Sequence, residues 1–268
     1  AIGYEALGAN TTGGFNTAVG RDSLKANTTG AYNVSVGANS ADALTTGGQN
    51  VAIGHAALGS DTKGSKTIAI GESALFAQNF TSATDTYNVA IGENAGTAVT
   101  TGVANILIGG LTGDALTDAD YNTAIGHQAL STDTLGSRSV ALGYFALRNQ
   151  NFTSATNSYN TALGFAAGEA ITTGVQNTLI GGLAGDANTT GANNTTLGYL
   201  SLTANTTGSG NVALGKAALE SNTTADNNTA VGKDTLRLNT TGHSNTAVGS
   251  LSGDAITTGA GNTAVGLG

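Results

Sequence analysis

A glycine returns every 17 residues along almost the whole chain, and this period constrains the fold more than any other feature. The glycine of a recurring NTAVG-like motif falls at Gly3, Gly20, Gly37, Gly54, Gly71, Gly92, Gly109, Gly126, Gly143, Gly164, Gly181, Gly198, Gly215, Gly232, Gly249 and Gly266. Thirteen of the fifteen intervals are 17 residues, and the two that end at Gly92 and Gly164 are 21. So short a unit cannot bury a hydrophobic face alone, and stacked copies can. The expected fold is all-β: a parallel β-solenoid of about sixteen rungs, 17 residues each with two of 21, running over 1–268 as one repeat segment.

Each rung has the same internal plan. The residue before the glycine is Ile, Val or Leu in every copy, as in Val19, Ile53 and Leu142, and the residue three before it is β-branched, as in Thr17, Val34 and Ile68. Positions two apart share one face of a strand, and β-branched side chains favour strands. These two ranks are therefore expected to face the core. Between them stands a small residue, Ala in twelve of the sixteen copies, with only Leu107 and Leu179 large. On that assignment the small rank, including Ala18, Ala52, Ala69, Ala90 and Ala124, faces outward as a flat strip where another copy of the chain could approach.

Four before the glycine stands Asn in thirteen of fifteen copies, for example Asn16, Asn50 and Asn245. Identical amides stacked rung upon rung can hydrogen-bond along the stack. The glycine itself is expected to end the strand at a positive φ or a close approach of backbones. A second short strand should follow, beginning with Ala, Ser or Thr three residues on and usually Leu at the fourth, before a turn reading NTTG or ITTG. Two strands and two turns leave no room for a helix.

The fourth and seventh positions compensate each other. Leu7 goes with Asn10, Leu58 with Asp61 and Leu236 with Asn239, whereas Gly96 goes with Val99, Gly113 with Leu116, Gly168 with Ile171 and Ala41 with Leu44. Close packing penalises both a void and an excess, so each rung supplies one large aliphatic from either of two places. Gly185 with Asn188 breaks the rule. A longer duplication lies on top: residues 54–116 match 126–188, down to the insertions QNFTSATDTYN (Gln78 to Asn88) and QNFTSATNSYN (Gln150 to Asn160). The extra residues are expected to widen one loop in each of those rungs.

Composition narrows the function classes. There are 41 Gly, no Pro, Cys, Met or Trp, and charged residues are 10% of the chain. Without Cys there is neither a disulfide framework nor a thiolate ligand or nucleophile. The net charge of −8 argues against nucleic acid, which needs a basic stripe to neutralise phosphates. No apolar run approaches the ~20 residues of a membrane span. The chain starts and stops within the motif, and neither end looks like a cap, so the expectation is a piece of a longer fibre protein.

Catalysis needs residues that break the repeat and converge, and none stand out; no enzyme activity, catalytic residue, metal or cofactor is expected. His55 and His127 sit at equivalent places four rungs apart, roughly 20 Å at strand spacing, too far to share a metal. Asp118 and Asp120 lack further ligands at a calcium-loop spacing. No GxxxxGK[ST] cradle is present, and the N-x-T strings serve as turn chemistry. Recognition falls to aromatic residues. Phe15, Tyr32, Tyr87, Tyr121 and Tyr159 each stand one residue before the Asn rank and should form a broken column on which sugar rings could stack.

The motifs NVAIG (Asn50 to Gly54, Asn88 to Gly92) and NTAVG resemble the head repeats of trimeric autotransporter adhesins, whose heads are left-handed parallel β-rolls of three chains. The wider pattern is similar to phage tail-fibre and other fibre-like surface proteins. The rung is longer here than in the adhesin heads. The resemblance implies a structural shaft or head segment of an extracellular fibre on a virion or cell surface, homotrimeric, holding an attachment tip toward a host glycan or protein receptor. A rival expectation is an ice-binding solenoid, suggested by Thr nine before the glycine in thirteen of fifteen copies.

Overall fold

The computed structural model describes residues 1–268. It is a helix-free parallel β-solenoid with one three-residue strand per turn, fifteen in all, from Thr17–Val19 to Thr263–Val265. Ile2 adds an isolated parallel bridge to Val19. The chain divides into two compact units. The first comprises Ala1–Ser137 and Thr153–Ala155, the second Arg138–Phe152 and Thr156–Gly268. Within the first, strands pair in strict register, Thr17 on Val34, Val34 on Val51 and Val51 on Ile68, and across the 21-residue rung Ile68 still meets Val89. Within the second, Val140 meets Thr161, and Thr161 meets Thr178, in the same way. The additional residues thus leave the sheet register untouched and bulge elsewhere. In the first unit Thr84–Asp85 pairs with Gly64–Ser65 beside the bulge, whose Thr81, Ser82 and Ala83 are exposed.

The two faces of the strand are the reverse of the expectation. The small rank is the core: Ala18, Ala52, Ala69, Ala90, Ala124 and their equivalents are buried, and so are Leu107 and Leu179. The ranks on either side point outward and are half-buried or exposed, with Val34, Ile53, Ile68, Ile106, Ile125 and Leu163 among the exposed large hydrophobics. The reason is the thinness of the coil. The layer facing the strands carries, in rungs with Leu at the fourth position, a buried side chain such as Leu24, Leu58, Leu75, Leu130, Leu202 or Leu219 beside a buried Ala or Ser at the third. A large side chain on one wall leaves room for only a small one opposite. In the second unit this gives a continuous cluster of Leu202, Ala213, Ala218, Leu219, Ala230, Leu236 and Ala247.

The two exceptions in the small rank bear out this geometry. A Cβ on Gly96 or Gly113 would lie 2.7 or 2.8 Å from a Leu107 methyl, and one on Gly168 or Gly185 2.7 or 3.0 Å from a Leu179 methyl. Each Leu fills the space that the fourth-position Leu occupies in other rungs. Leu179 does not account for Gly185 with Asn188, because Leu107 sits beside Gly113 in the same way while Leu116 stays aliphatic and buried.

The layer after the glycine is not a second strand. It is a run of turns in which alternate residues take left-handed backbone angles: Asp22 (φ 57°) and Leu24 (φ 50°), then Ala56 (φ 54°) and Leu58 (φ 53°). Within it Leu24 N–H donates to Ser40 O of the next rung, while Asn27 N–H donates back to Leu24 O. A third left-handed column precedes the Asn rank. Across all three, 38 non-glycine residues have positive φ, and none is Val, Ile or Thr, the types whose branched Cβ fits that region worst. The repeat glycine has a different duty. Gly20 sits at φ 135°, and a Cβ there would be 2.3 Å from Gly37 O, so backbones of successive rungs touch where any side chain would intrude.

The Asn rank is buried, and it bonds along the stack through the backbone more than amide to amide. Asn33 Oδ1 accepts from Asn50 N–H (3.0 Å), while Asn33 Nδ2 donates to Gly47 O (3.0 Å). Amide-to-amide ladders occur instead at the seventh position, where Asn205 donates to Asn188 and Asn222 to Asn205. Each such bond contributes about 1 kcal/mol, and an unmade one in this interior costs more. In the 21-residue rung Gln78 takes over, donating to Asp61 Oδ2 (2.6 Å) and accepting from Asn88 Nδ2 (2.9 Å).

Candidate functional site

With the interior filled by Leu, Ala, Asn and Ser, chemistry is confined to the outer columns. The aromatic residues one before the Asn rank all occupy the left-handed column, Phe15 at φ 61°, Tyr32 at 62°, Tyr87 at 53°, Tyr121 at 60° and Tyr159 at 50°. That backbone angle throws each ring outward, and all five are more than half exposed. Phe15 and Tyr32 stack, their rings parallel within 7° at 5.0 Å between centroids. Gln49 and Lys66 hold the same column between Tyr32 and Tyr87, and Ala104 stands between Tyr87 and Tyr121. Lys66 Nζ lies 5.1 Å from the Tyr87 ring centroid, 3.1 Å from its hydroxyl and 2.5 Å from Asp85 Oδ2. The hydrogen bond to Asp85, helped by Tyr87, holds the Lys66 ammonium above the usual lysine range.

A second set of exposed aromatics lies outside that column and follows the repeat glycine directly. Tyr144 and Phe165 lie on successive rungs of the second unit, parallel within 3° at 5.6 Å. The Tyr144 ring also packs on Phe145 at 3.8 Å, and the Arg148 guanidinium sits 4.2 Å above the Phe145 centroid while pairing with Glu169 at 3.3 Å. In this column Gly182 comes next and Tyr199 after it, and a Cβ on Gly182 would meet only the Tyr199 ring, at 3.5 and 3.9 Å. The sequence signal for this patch is its absence from the duplicate, where Tyr144 and Phe165 are matched by Glu72 and Glu93.

The remaining titratable residues stay apart. His55 Nδ1 lies 3.8 Å from Glu72 Oε1 on an exposed surface, and His127 lies over Gly110. Asp118 accepts from Thr101 Oγ1 (2.6 Å) and Asp120 from Val103 N–H (2.7 Å), so both tie adjacent rungs together. No three His, Asp or Glu residues converge where a metal ion could sit. Burial pushes the carboxyls of Asp42 and Asp114 up. Hydrogen bonds from Lys25 to Glu5 and then to Asp22 push its ammonium up, and Lys25 and Glu5 border a shallow cleft with Gly8 and Ala9. The Thr rank nine before the glycine donates its hydroxyls to carbonyls of the next rung, as in Thr45 to Thr62 O (2.8 Å) and Thr189 to Thr206 O (2.9 Å).

No protein-family model matches the sequence, and neither a curated protein nor a solved structure does.

Proposed function

We propose that the chain is a structural, non-enzymatic segment of an extracellular fibre or adhesin, a phage tail fibre or bacterial surface fibre, whose copies associate as a homotrimer through the outward face of the sheet. One observation carries this reading. In the first unit seven strands, and in the second eight, present two residues each on the outward face of their own sheet, every one Thr, Val, Ile or Leu, without a single charge. Soluble proteins seldom leave long apolar strips uncovered. Around a threefold axis one strip on each copy touches both neighbours and closes the assembly. The NVAIG motifs, similar to trimeric adhesin heads, point the same way, as does the commitment of the Thr hydroxyls to inter-rung bonds instead of an ice-facing array. In this arrangement the shaft supports attachment to a host surface.

The test is the mass in solution. Analytical ultracentrifugation should give three chains for the wild type and one for Ile53→Lys/Ile125→Lys, with the β-sheet circular dichroism retained. Both residues are more than a third exposed, so the charges meet water in the monomer. A monomeric wild type, or a doubly charged variant of unchanged mass, would sink the proposal.

A further inference from the structure

The patch around Phe165 lies outside the interior. The interior closes without it, and Tyr144, Phe165 and Tyr199 remain 44%, 57% and 52% exposed. Gly182, between Phe165 and Tyr199, is also free of the constraint that governs the repeat glycines. A Cβ on Gly181 would lie 2.3 Å from Gly198 O, but one on Gly182 would find only the Tyr199 ring at ordinary contact distance. Nor is Gly182 at positive φ. A side chain would fit there, and without one the space over this backbone is open toward Phe165 and walled by Tyr199.

We propose that Phe165, Gly182 and Tyr199 form a subsite for a pyranose ring of a neutral saccharide, extended over Tyr144. Tyr144 and Phe165 lie parallel 5.6 Å apart, and Phe165 is 57% exposed, so its ring is accessible to a ligand. A pyranose offers a C–H face to such rings and hydroxyls at its rim. Arg148 and Glu169, paired at 3.3 Å on the same two rungs, supply donors and an acceptor for those hydroxyls with no net charge. That balance selects a neutral ligand over an anionic one. The subsite does not depend on self-association, because its residues follow the glycine and are not part of the outward strand face.

Binding of the full chain to soluble hexasaccharides of glucose, galactose, mannose and N-acetylglucosamine, followed by tyrosine fluorescence and calorimetry, tests this. At least one should bind, and Phe165→Ala and Gly182→Phe should each weaken it by roughly tenfold or more. Glu93→Ala, the matching position of the other duplicate, should leave it unchanged. Circular dichroism melting checks that the variants are folded, with Tyr199→Ala replacing either one that is not. No binding by the wild type, binding that survives both substitutions, or binding of a planar aromatic dye without any saccharide would each overturn the assignment. Because the mass of the assembly is read separately, failure here and failure of the trimer are distinguishable.

Discussion

The duplicated blocks 54–116 and 126–188 keep much of one interior, with Leu116 matched by Asn188, and differ further in what they show to solvent. A Cβ added to Gly96 would meet Leu107, Leu75 and Val99 at 2.7, 3.1 and 3.3 Å; one added to Gly168 would meet Leu179, Leu147 and Ile171 at 2.7, 3.0 and 3.1 Å. Outside, Glu72, Ser73, Phe76, Glu93 and Thr97 of the first block become Tyr144, Phe145, Arg148, Phe165 and Glu169 of the second. The coil therefore sets tight limits on what may fill it and almost none on what may follow the repeat glycine. The surface can thus diverge in one block while its twin keeps a different one.

The largest effect should come from the inward rank, and it should be equal in both blocks. Ala90→Arg and Ala162→Arg bury an unpaired charge and should each cost at least about 4 kcal/mol or abolish folding. Ile91→Asp and Leu163→Asp, one residue away, should melt near the wild type in the monomeric background, since these side chains are only partly buried. Thermal melts that ranked the neighbours the other way would restore the opposite face as the core.

Glycines divide by position more than by block. Gly92→Ala and Gly164→Ala drive a Cβ to 2.4 and 2.5 Å from the next rung's carbonyl oxygen, at φ 139° and 141°, and should lose roughly 3 kcal/mol each. Gly110→Ala and Gly182→Ala, with 3.6 and 3.5 Å of clearance, should lose almost nothing. Denaturant unfolding measures all four, and a severe loss at Gly182 would give that residue a packing role after all. A smaller effect than at the repeat glycines belongs to the left-handed column. Ala104→Val and Gln176→Val, at φ 56° and 59°, should each cost about 1 kcal/mol, whereas glycine at either site should be tolerated. A difference between the two blocks there would mean that the backbone, and not only the surface, has diverged.

Much of this was legible in the sequence. The period, the parallel register, the close approach at the glycine and the stacking of the Asn rank follow from spacing and residue type. Which strand face turns inward did not, because alternation fixes only that Thr17 and Val19 share a side, and hydrophobicity then favours the wrong one in so thin a coil. The clue was local: Leu107 and Leu179 interrupt the small rank where Gly96, Gly113, Gly168 and Gly185 interrupt the Leu rank, as two walls of one space would. The turn layer was hidden for a related reason. Its Leu rank reads as a strand, and only the absence of Val, Ile and Thr from three columns betrays left-handed backbone. Of the surface aromatics, the set at Phe15, Tyr32, Tyr87, Tyr121 and Tyr159 stood out by its fixed offset, while Tyr144, Phe165 and Tyr199 emerge from contrast between duplicates.

The touching glycine backbones make length a quantity that changes only in whole coils. Because Gly20 meets Gly37 as Gly37 meets Gly54, rungs are interchangeable at this contact, and a slip in copying that adds or removes a complete rung reseals the glycine column. The 72 residues separating the two blocks are such a step, made of three rungs of 17 and one of 21. An insertion of one residue in a strand would instead turn Ala to solvent and Ile to the interior from that point to the next turn. Such a gene can lengthen or shorten its product readily, and each new stretch arrives with its interior already solved and its outer surface open to change.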